Sequence, residues 1–300
     1  MPAQLIHHDW QLQLISIYCW LDELFERNGV ACLVMRFGPG RAPAFTDVEL
    51  CAAYFFARLQ GFTSHKKCWE FIDKFHLEWF PQLPRYSSWV ERLLRLEPAM
   101  PALLESLLHE PKGELRRVLD TCPVVVCSGR RARKSRTAGP LADTGWCGTK
   151  RMFYRGVKLH VMAHLDGTRG IPYPLAIGVG RAGMSDMEGL KQIIPELNGG
   201  SLWFDKGYRG KTEREQLQTR GCAAMMPRFR QKGLFHFKGP DAFSFIISRE
   251  RQPIETLFSW LSERTGIQDA HRVRSARGLL FFVWSCLIVG VAFLNARMSV

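Results

Sequence analysis

An α/β fold is predicted here: a mixed sheet with flanking helices, preceded by a small all-helical N-terminal domain. Three observations predict it. Apolar residues recur at helical spacing through the first 110 residues. From about residue 115 they gather instead into short runs of strand length. Those runs then alternate with helical segments, as in chains that pack helices on a sheet. The domains read as 1–110, helical, and 111–300, α/β.

In the first part, residues 10–26 place Leu14, Ile17, Tyr18, Leu21, Leu24 and Phe25 on one helical face, and Asn28-Gly29 ends the segment. Thr46-Asp47-Val48-Glu49 matches a capping box, opening a helix that reaches about Gln60-Gly61. Further helices are expected over 64–75, 87–96 and 98–108. Such a domain could hold a helix-turn-helix or serve packing and dimerisation. No recognition helix stands out.

The second part opens with a strand over 118–126, then one over 156–165 that turns at Asp166-Gly167 into an antiparallel partner over 171–179. Ser185-Asp186-Met187-Glu188 is a second capping box, with its helix running to about Leu197. Residues 202–204 form a strand ending at Asp205, residues 211–220 a helix with Gly221 just beyond it, and 222–226 a short strand. An irregular basic stretch, 227–250, leads to a helix with Glu255 in its first turns.

Charge narrows the function classes. The chain carries a net charge of +13. Residues 1–110 hold 10 Lys+Arg against 13 Asp+Glu, whereas 111–300 hold 31 against 15. All the excess positive charge therefore lies in the second part, which points to a polyanionic partner, nucleic acid before membrane. A solvated basic face is the plainer alternative. The nine cysteines form no CxxC pair and no zinc spacing, as expected of reduced thiols in a cytosol. Met1 to Asp9 lacks a cationic segment followed by an apolar one, so export is not expected. Residues 278–294 are 17 without a charge, the short edge of a membrane span. A buried core helix explains them as well, and no membrane partner is expected.

Three carboxylates stand where metal-dependent phosphoryl-transfer chemistry needs them. Asp120 interrupts the apolar run Val118-Leu119-Asp120-Thr121-Cys122-Pro123-Val124. A carboxylate there is costly unless paired, solvated or holding metal, although it could also just accept backbone N–H groups. Asp205 stands at a strand's carboxyl end, where α/β sheets present ligand-binding groups, or it is a turn residue before Gly207. Asp186 is a rival, but its capping box gives it structural work. Glu255 borders the stripe Ile254, Leu257, Phe258 and Leu261, one turn after Arg251. The alternative there is a surface ion pair between the two. Hard divalent cations are held by a few such carboxylates, and two can clamp both oxygens of an in-line displacement at phosphorus.

Basic stretches surround this set. Arg130, Arg131, Arg133, Lys134 and Arg136 read as a mobile loop gripping phosphate, or as a solvated charge run. Residues 227–238 interleave Arg228, Arg230 and Lys232 with Phe229, Phe235 and Phe237, which suits a groove with rings for unstacked bases, or core rings in a hairpin. Lys158 and His160 alternate with Val157, Leu159 and Val161, and His160 reads as a neutral structural histidine.

Four segments carry a resemblance. Leu119-Asp120-Thr121-Cys122-Pro123-Val124, Gly156-Val157-Lys158-Leu159-His160, Phe204-Asp205-Lys206-Gly207-Tyr208 and Arg251-Gln252-Pro253-Ile254-Glu255-Thr256-Leu257-Phe258 resemble, in this order, the DDE transposases of bacterial insertion sequences. These are relatives of retroviral integrases, with a ribonuclease-H-like core. The likeness covers roughly 115–290. It implies a ribonuclease-H-like mixed sheet and a metal-binding, catalytic triad of Asp120, Asp205 and Glu255, with Arg251 as companion. It implies two Mg²⁺ ions (Mn²⁺ substituting), endonucleolytic cleavage at an element's ends and transfer of the freed 3′ end into target DNA. Implied partners are the terminal inverted repeats, a target duplex and further copies of the chain in a homodimer or larger assembly. The location implied is cytoplasmic, at the nucleoid. DNA contacts are expected from Arg251, Arg130, Arg131, Arg133, Lys134, Lys158, Arg228, Arg230 and Lys232. Some relatives place a Tyr before the Arg and a Lys after the Glu. Here Ser248 and Ser262 stand there, so those terminal-base contacts do not carry over. The spacings, 85 residues from Asp120 to Asp205 and 50 on to Glu255, leave no room for a large domain before the Glu. Two other readings stay open: a nuclease that only hydrolyses, and a non-catalytic DNA-binding descendant.

Overall fold

Two units make up the chain in the computed structural model, which describes residues 5–27, 43–108, 115–148, 150–165, 170–208, 210–227 and 241–298. One unit comprises residues 1–109, 261–267 and 273–300, and the other 110–260 and 268–272.

The described elements of the first unit are helical: α1 (Trp10–Arg27), α2 (Asp47–Leu59), α3 (His65–Phe75), α4 (Tyr86–Arg95), α5 (Met100–Leu107) and the C-terminal helix Ala276–Met298. Capping sets the starts. The Thr46 hydroxyl accepts the Glu49 N–H at 3.1 Å while the Glu49 carboxylate accepts the Thr46 N–H, and Ser64 accepts from Lys67 N–H at the head of α3. From Leu50 to Leu59, α2 is buried on every side. Such a helix must satisfy its polar groups internally. Arg58 does so through its Nη atoms, which donate to the Thr63 carbonyl at 2.7 Å, the Thr265 carbonyl at 3.4 Å and Cys286 Sγ at 3.0 Å, while its Nε has no partner among the described residues. The apolar run 278–294 falls within the C-terminal helix. Its mean hydropathy of 2.3 would suit a membrane span, but 72% of that window is buried in the protein, the position of a core helix. Asn295 ties it to the Leu107 carbonyl at 2.9 Å.

The second unit is a mixed α/β layer: β1 (Arg116–Ser128), α6 (Arg130–Lys134), β2 (Asp143–Cys147), β3 (Met152–His164), β4 (Tyr173–Arg181), α7 (Asp186–Ile193), β5 (Ser201–Trp203), α8 (Lys211–Thr219), β6 (Ala223–Met225) and α9 (Ala242–Thr265). The last residues of α9, from Leu261, count with the helical unit. β3 pairs antiparallel with β1 along one edge. On its other edge β2 pairs with its first half and β4 with its second, so β2 and β4 lie end to end. β5 runs parallel to β1, and β6 parallel to β5. At the register shift between Val125 and Cys127, a Cβ on Gly156 would overlap the Val124 carbonyl, so the close approach there requires glycine. One core packs Leu119, Met162, Leu202 and Phe204 from in and beside the strands against Leu190, Ile193 and Leu217 from α7 and α8. The α/β expectation holds at this level.

Several local expectations are corrected. β2 was not foreseen, because Asp143-Thr144-Gly145-Trp146-Cys147 is short and holds an acid and a glycine, both depleted in strands. The basic run 130–136, expected as a loop, begins with the one-turn helix α6. The helix after Ser185 gives way to a 3-10 turn at Ile194–Glu196, with proline in its first turn, short of Leu197. The stretch 227–250 is not irregular throughout, since α9 starts at Ala242 and Glu255 sits mid-helix. Pro253 misled here: proline favours a first turn, but inside α9 it simply leaves one carbonyl of the preceding turn without its N–H. The expected turns at Asn28-Gly29 and Asp166-Gly167 lie outside the described residues.

Candidate active site

Parallel pairing of β1 with β5 builds the site. Arg116 stands opposite Ser201 and Val118 opposite Trp203, and each strand places an aspartate two residues further on. Asp120 and Asp205 thus emerge at the same level of two adjacent strands, although 85 residues separate them. Helix α9 brings Arg251 to both. Its Nη2 donates to Asp120 Oδ2 at 3.1 Å and its Nη1 to Asp205 Oδ1 at 3.3 Å. Asp120 is the more enclosed partner, with 24% of its side chain exposed against 56% for Asp205.

Burial pushes the Asp120 carboxyl above its ordinary range, and the charges of Asp205 and Asp186 add to this. The Arg251 guanidinium and the Thr121 N–H, which donates at 2.8 Å, pull the other way. Desolvation outweighs the rest, and Arg251 is the strongest of the neighbouring charges.

Two residues without an assigned role belong to the same cluster. Asp186 is first in α7, but the capping box is closed by Ser185 and Glu188, which leaves its carboxylate spare. It pairs with Lys158 Nζ at 3.0 Å, and Lys158 also donates to the Met184 carbonyl at 3.0 Å. Tyr208 is buried against Phe204, ring centroids 5.4 Å apart. Its hydroxyl has no hydrogen-bond partner among the described residues. Burial raises its pKa, and so do Asp186, Asp120 and Asp205 around it. Sequence reasoning passed over Asp186 because its capping box already explained it, and over Tyr208 because buried aromatics are common core residues.

His160 forms the floor under α7. It is buried, and neither ring nitrogen has a partner among the described residues. A Cβ on Gly189 would overlap its ring, so α7 packs directly on it. Burial, then the Lys158 charge, lowers its pKa, in keeping with the neutral structural histidine expected.

The expected site residues therefore separate. Asp120, Asp205 and Arg251 come together, with Lys158 held at Asp186 beside them. Glu255 is exposed, and among the described residues Arg251 pairs with the two aspartates and not with it. Arg130, Arg131, Arg133 and Lys134 are exposed on α6. Arg228, Arg230 and Lys232 lie outside the described residues. No group of three or more His, Cys, Asp or Glu that could hold a metal ion is found among the described residues. The donor chemistry nonetheless fits a hard divalent cation: two carboxylates on adjacent strands, Asp120 largely shielded from water, and a buried hydroxyl with unused bonding capacity.

A family model described as transposase DDE domain matches residues 112–290, more than half of the chain. No curated protein and no solved structure gives a match. The matched region holds Asp120, Asp205, Arg251 and Glu255, and by that match the chain belongs to the transposase DDE domain family.

Proposed function

We propose that this transposase-family chain cuts DNA at the ends of a mobile element and joins the freed 3′ ends to target DNA. One observation carries the reading: Asp120 and Asp205, far apart in sequence, share one guanidinium on a helix that also bears Glu255 one turn on. A ribonuclease-H-like core is supported by the sheet, in which antiparallel β4, β3 and β1 are followed by parallel β5 and β6. In this reading β2 is an added strand.

Asp120, Asp205 and Glu255 would hold divalent cations such as Mg²⁺. When bound, these supply charge neutralisation at the attacked phosphorus and activate the attacking oxygen. The remaining work falls to the protein. β1 and β5 fix two carboxylates on adjacent strands, and α9 carries the third. Arg251 keeps Asp120 and Asp205 at one place and offers a planar fork that also suits a phosphate. Lys158 restrains Asp186 at the edge of the cluster. The exposed cations of α6 give the electrostatic attraction for duplex DNA, and a steep salt dependence goes with it. Dimers or larger assemblies that bridge two ends complete the proposal, acting in the cytoplasm at the nucleoid.

The test incubates purified protein and Mg²⁺ with labelled duplexes carrying both flanks of the element, and scores cleavage and joining on a denaturing gel. Metal-dependent joining that Glu255→Ala abolishes is the expected result. Cleavage without joining would leave a nuclease. Salt-sensitive binding, with no chemistry and no response to Asp120→Asn, would leave a DNA-binding protein.

A further inference from the structure

The hairpin of β2 and β3 carries two rings that its unit leaves in solvent. Trp146 and Phe153 stand directly opposite each other, with ring centroids 4.8 Å apart and planes at 63°. They are 54% and 39% exposed. The other face of the hairpin is the buried one, where Tyr154 packs with Val125 and Ala182. Strand alternation has thus put rings on the side where a half-solvated strand ordinarily carries polar groups.

Charge identifies the occupant. The Arg133 guanidinium lies 4.4 Å from the Phe153 ring centroid, a cation–π contact. Arg130, Arg131, Lys134, Arg136, Lys150 and Arg151 are all exposed on α6, just after it and at the hairpin turn. Residues 128–165 hold nine Lys+Arg and a single acidic residue, Asp143. Rings within a dense cationic surround match a ligand that has flat apolar faces on a polyanionic backbone. Unpaired bases of a DNA strand have that chemistry, and stacking accepts any base.

We propose that Trp146 and Phe153, with Arg133, form a stacking platform for unpaired bases next to the cleaved strand. This rests on the reading that the chain acts on DNA. It moves to the hairpin a role that the sequence suggested for 227–238.

The test compares a flush duplex with the same duplex carrying a three-nucleotide gap that contains 2-aminopurine, at fixed salt, by anisotropy and by base fluorescence. Wild type should bind the gapped DNA more tightly and quench the 2-aminopurine. The Trp146→Ala/Phe153→Ala double variant should lose roughly 5- to 100-fold of affinity for the gap, by the usual worth of a stacked base. It should keep flush-duplex binding within about twofold, since phosphate contacts carry that term. Trp146→Phe should retain the quench, and both variants should keep the wild-type melting profile. Equal wild-type affinity for the two DNAs, or a preference surviving in the double variant, overturns the platform and leaves the DNA reading standing. Binding to neither DNA overturns both. A lower molar mass by light scattering in the double variant would make the rings a contact between copies and overturn the platform as well.

Discussion

Arg58 in the helical unit and Arg251 in the sheet unit are both largely buried, yet they meet opposite kinds of partner. Arg58 donates to two backbone carbonyls and a thiol, all uncharged acceptors. Arg251 donates to two carboxylates that differ in exposure, in a cluster with a third carboxylate and an unpartnered hydroxyl nearby. The first arrangement has nothing to exchange, because removing the guanidinium leaves only stranded dipoles. The second is a pair of carboxylates held by one guanidinium, a donor set that would also suit a divalent cation. Burial of a charge alone does not mark a site; the charge of its partners does.

The largest test of this contrast is chemical. Asp120→Asn should lower cleavage and joining on the order of 10³-fold, as several kcal/mol of charge stabilisation disappear from the transition state. Arg58→Ala should leave DNA binding intact. Instead it should cost about 2–4 kcal/mol in urea denaturation, from two stranded carbonyls and a cavity. Arg251→Ala should cost only about 1 kcal/mol, because Asp205 can solvate its charge and Asp120 can take up a proton. Equal costs for the two arginines would break the contrast.

A smaller effect sharpens it without relying on turnover. Mg²⁺ at ten times its dissociation constant should stabilise the wild type by about 1.4 kcal/mol in thermal melts, and Asp120→Asn by far less. The same shift in both proteins would place the cation elsewhere.

The smallest effects are pH-dependent and of opposite sign. The Asp120 carboxyl is raised in the folded state, so the folded protein holds that proton more firmly. Its contribution to stability is complete below the ordinary carboxylate value of about 3.9 and is lost as pH climbs through the raised one. Asp120→Asn should therefore be as stable as wild type at pH 7, or more so by up to about 1 kcal/mol. His160 is lowered, so the unfolded chain takes the proton first. Stability from neutral His160 is present above about pH 6.5 and falls as the solution is acidified. His65 in the helical unit, lowered to about 4 by burial and by Arg58, adds to the same acid loss. Melts from pH 8 to pH 5 that stay flat would refute the histidine assignments.

Much of this was legible in the sequence where one physical signal dominated. The capping boxes at Thr46 and Ser185 and the apolar runs of β1 and β3 announced themselves through local chemistry. The two aspartates were legible because a charge at the end of or within an apolar strand is expensive. What stayed hidden depends on pairings that no local pattern encodes. β2 owes its strand character to the edge of β3, not to its own residues. The freedom of Asp186 shows only once Ser185 and Glu188 have closed the cap without it. Arg251 was expected as a companion of Glu255 and a DNA contact, and its hold on Asp120 and Asp205 stayed hidden because helical spacing says nothing about a strand that ends against the helix. Trp146 and Phe153 drew no reading from the sequence, because only the pairing of β2 with β3 sets the two rings opposite each other.

The level meeting of Asp120 and Asp205 also sets a time. During synthesis the ribosome must deliver residue 251 before its guanidinium can reach Asp120, some 131 residues behind it. At about 5–20 residues per second that interval lasts roughly 7 to 26 seconds. Through it, β1 and β3 can pair as a long hairpin while the two aspartates remain unjoined. The emerging polypeptide thus lacks the Arg251 link between its two aspartates until the far end of the matched region is released.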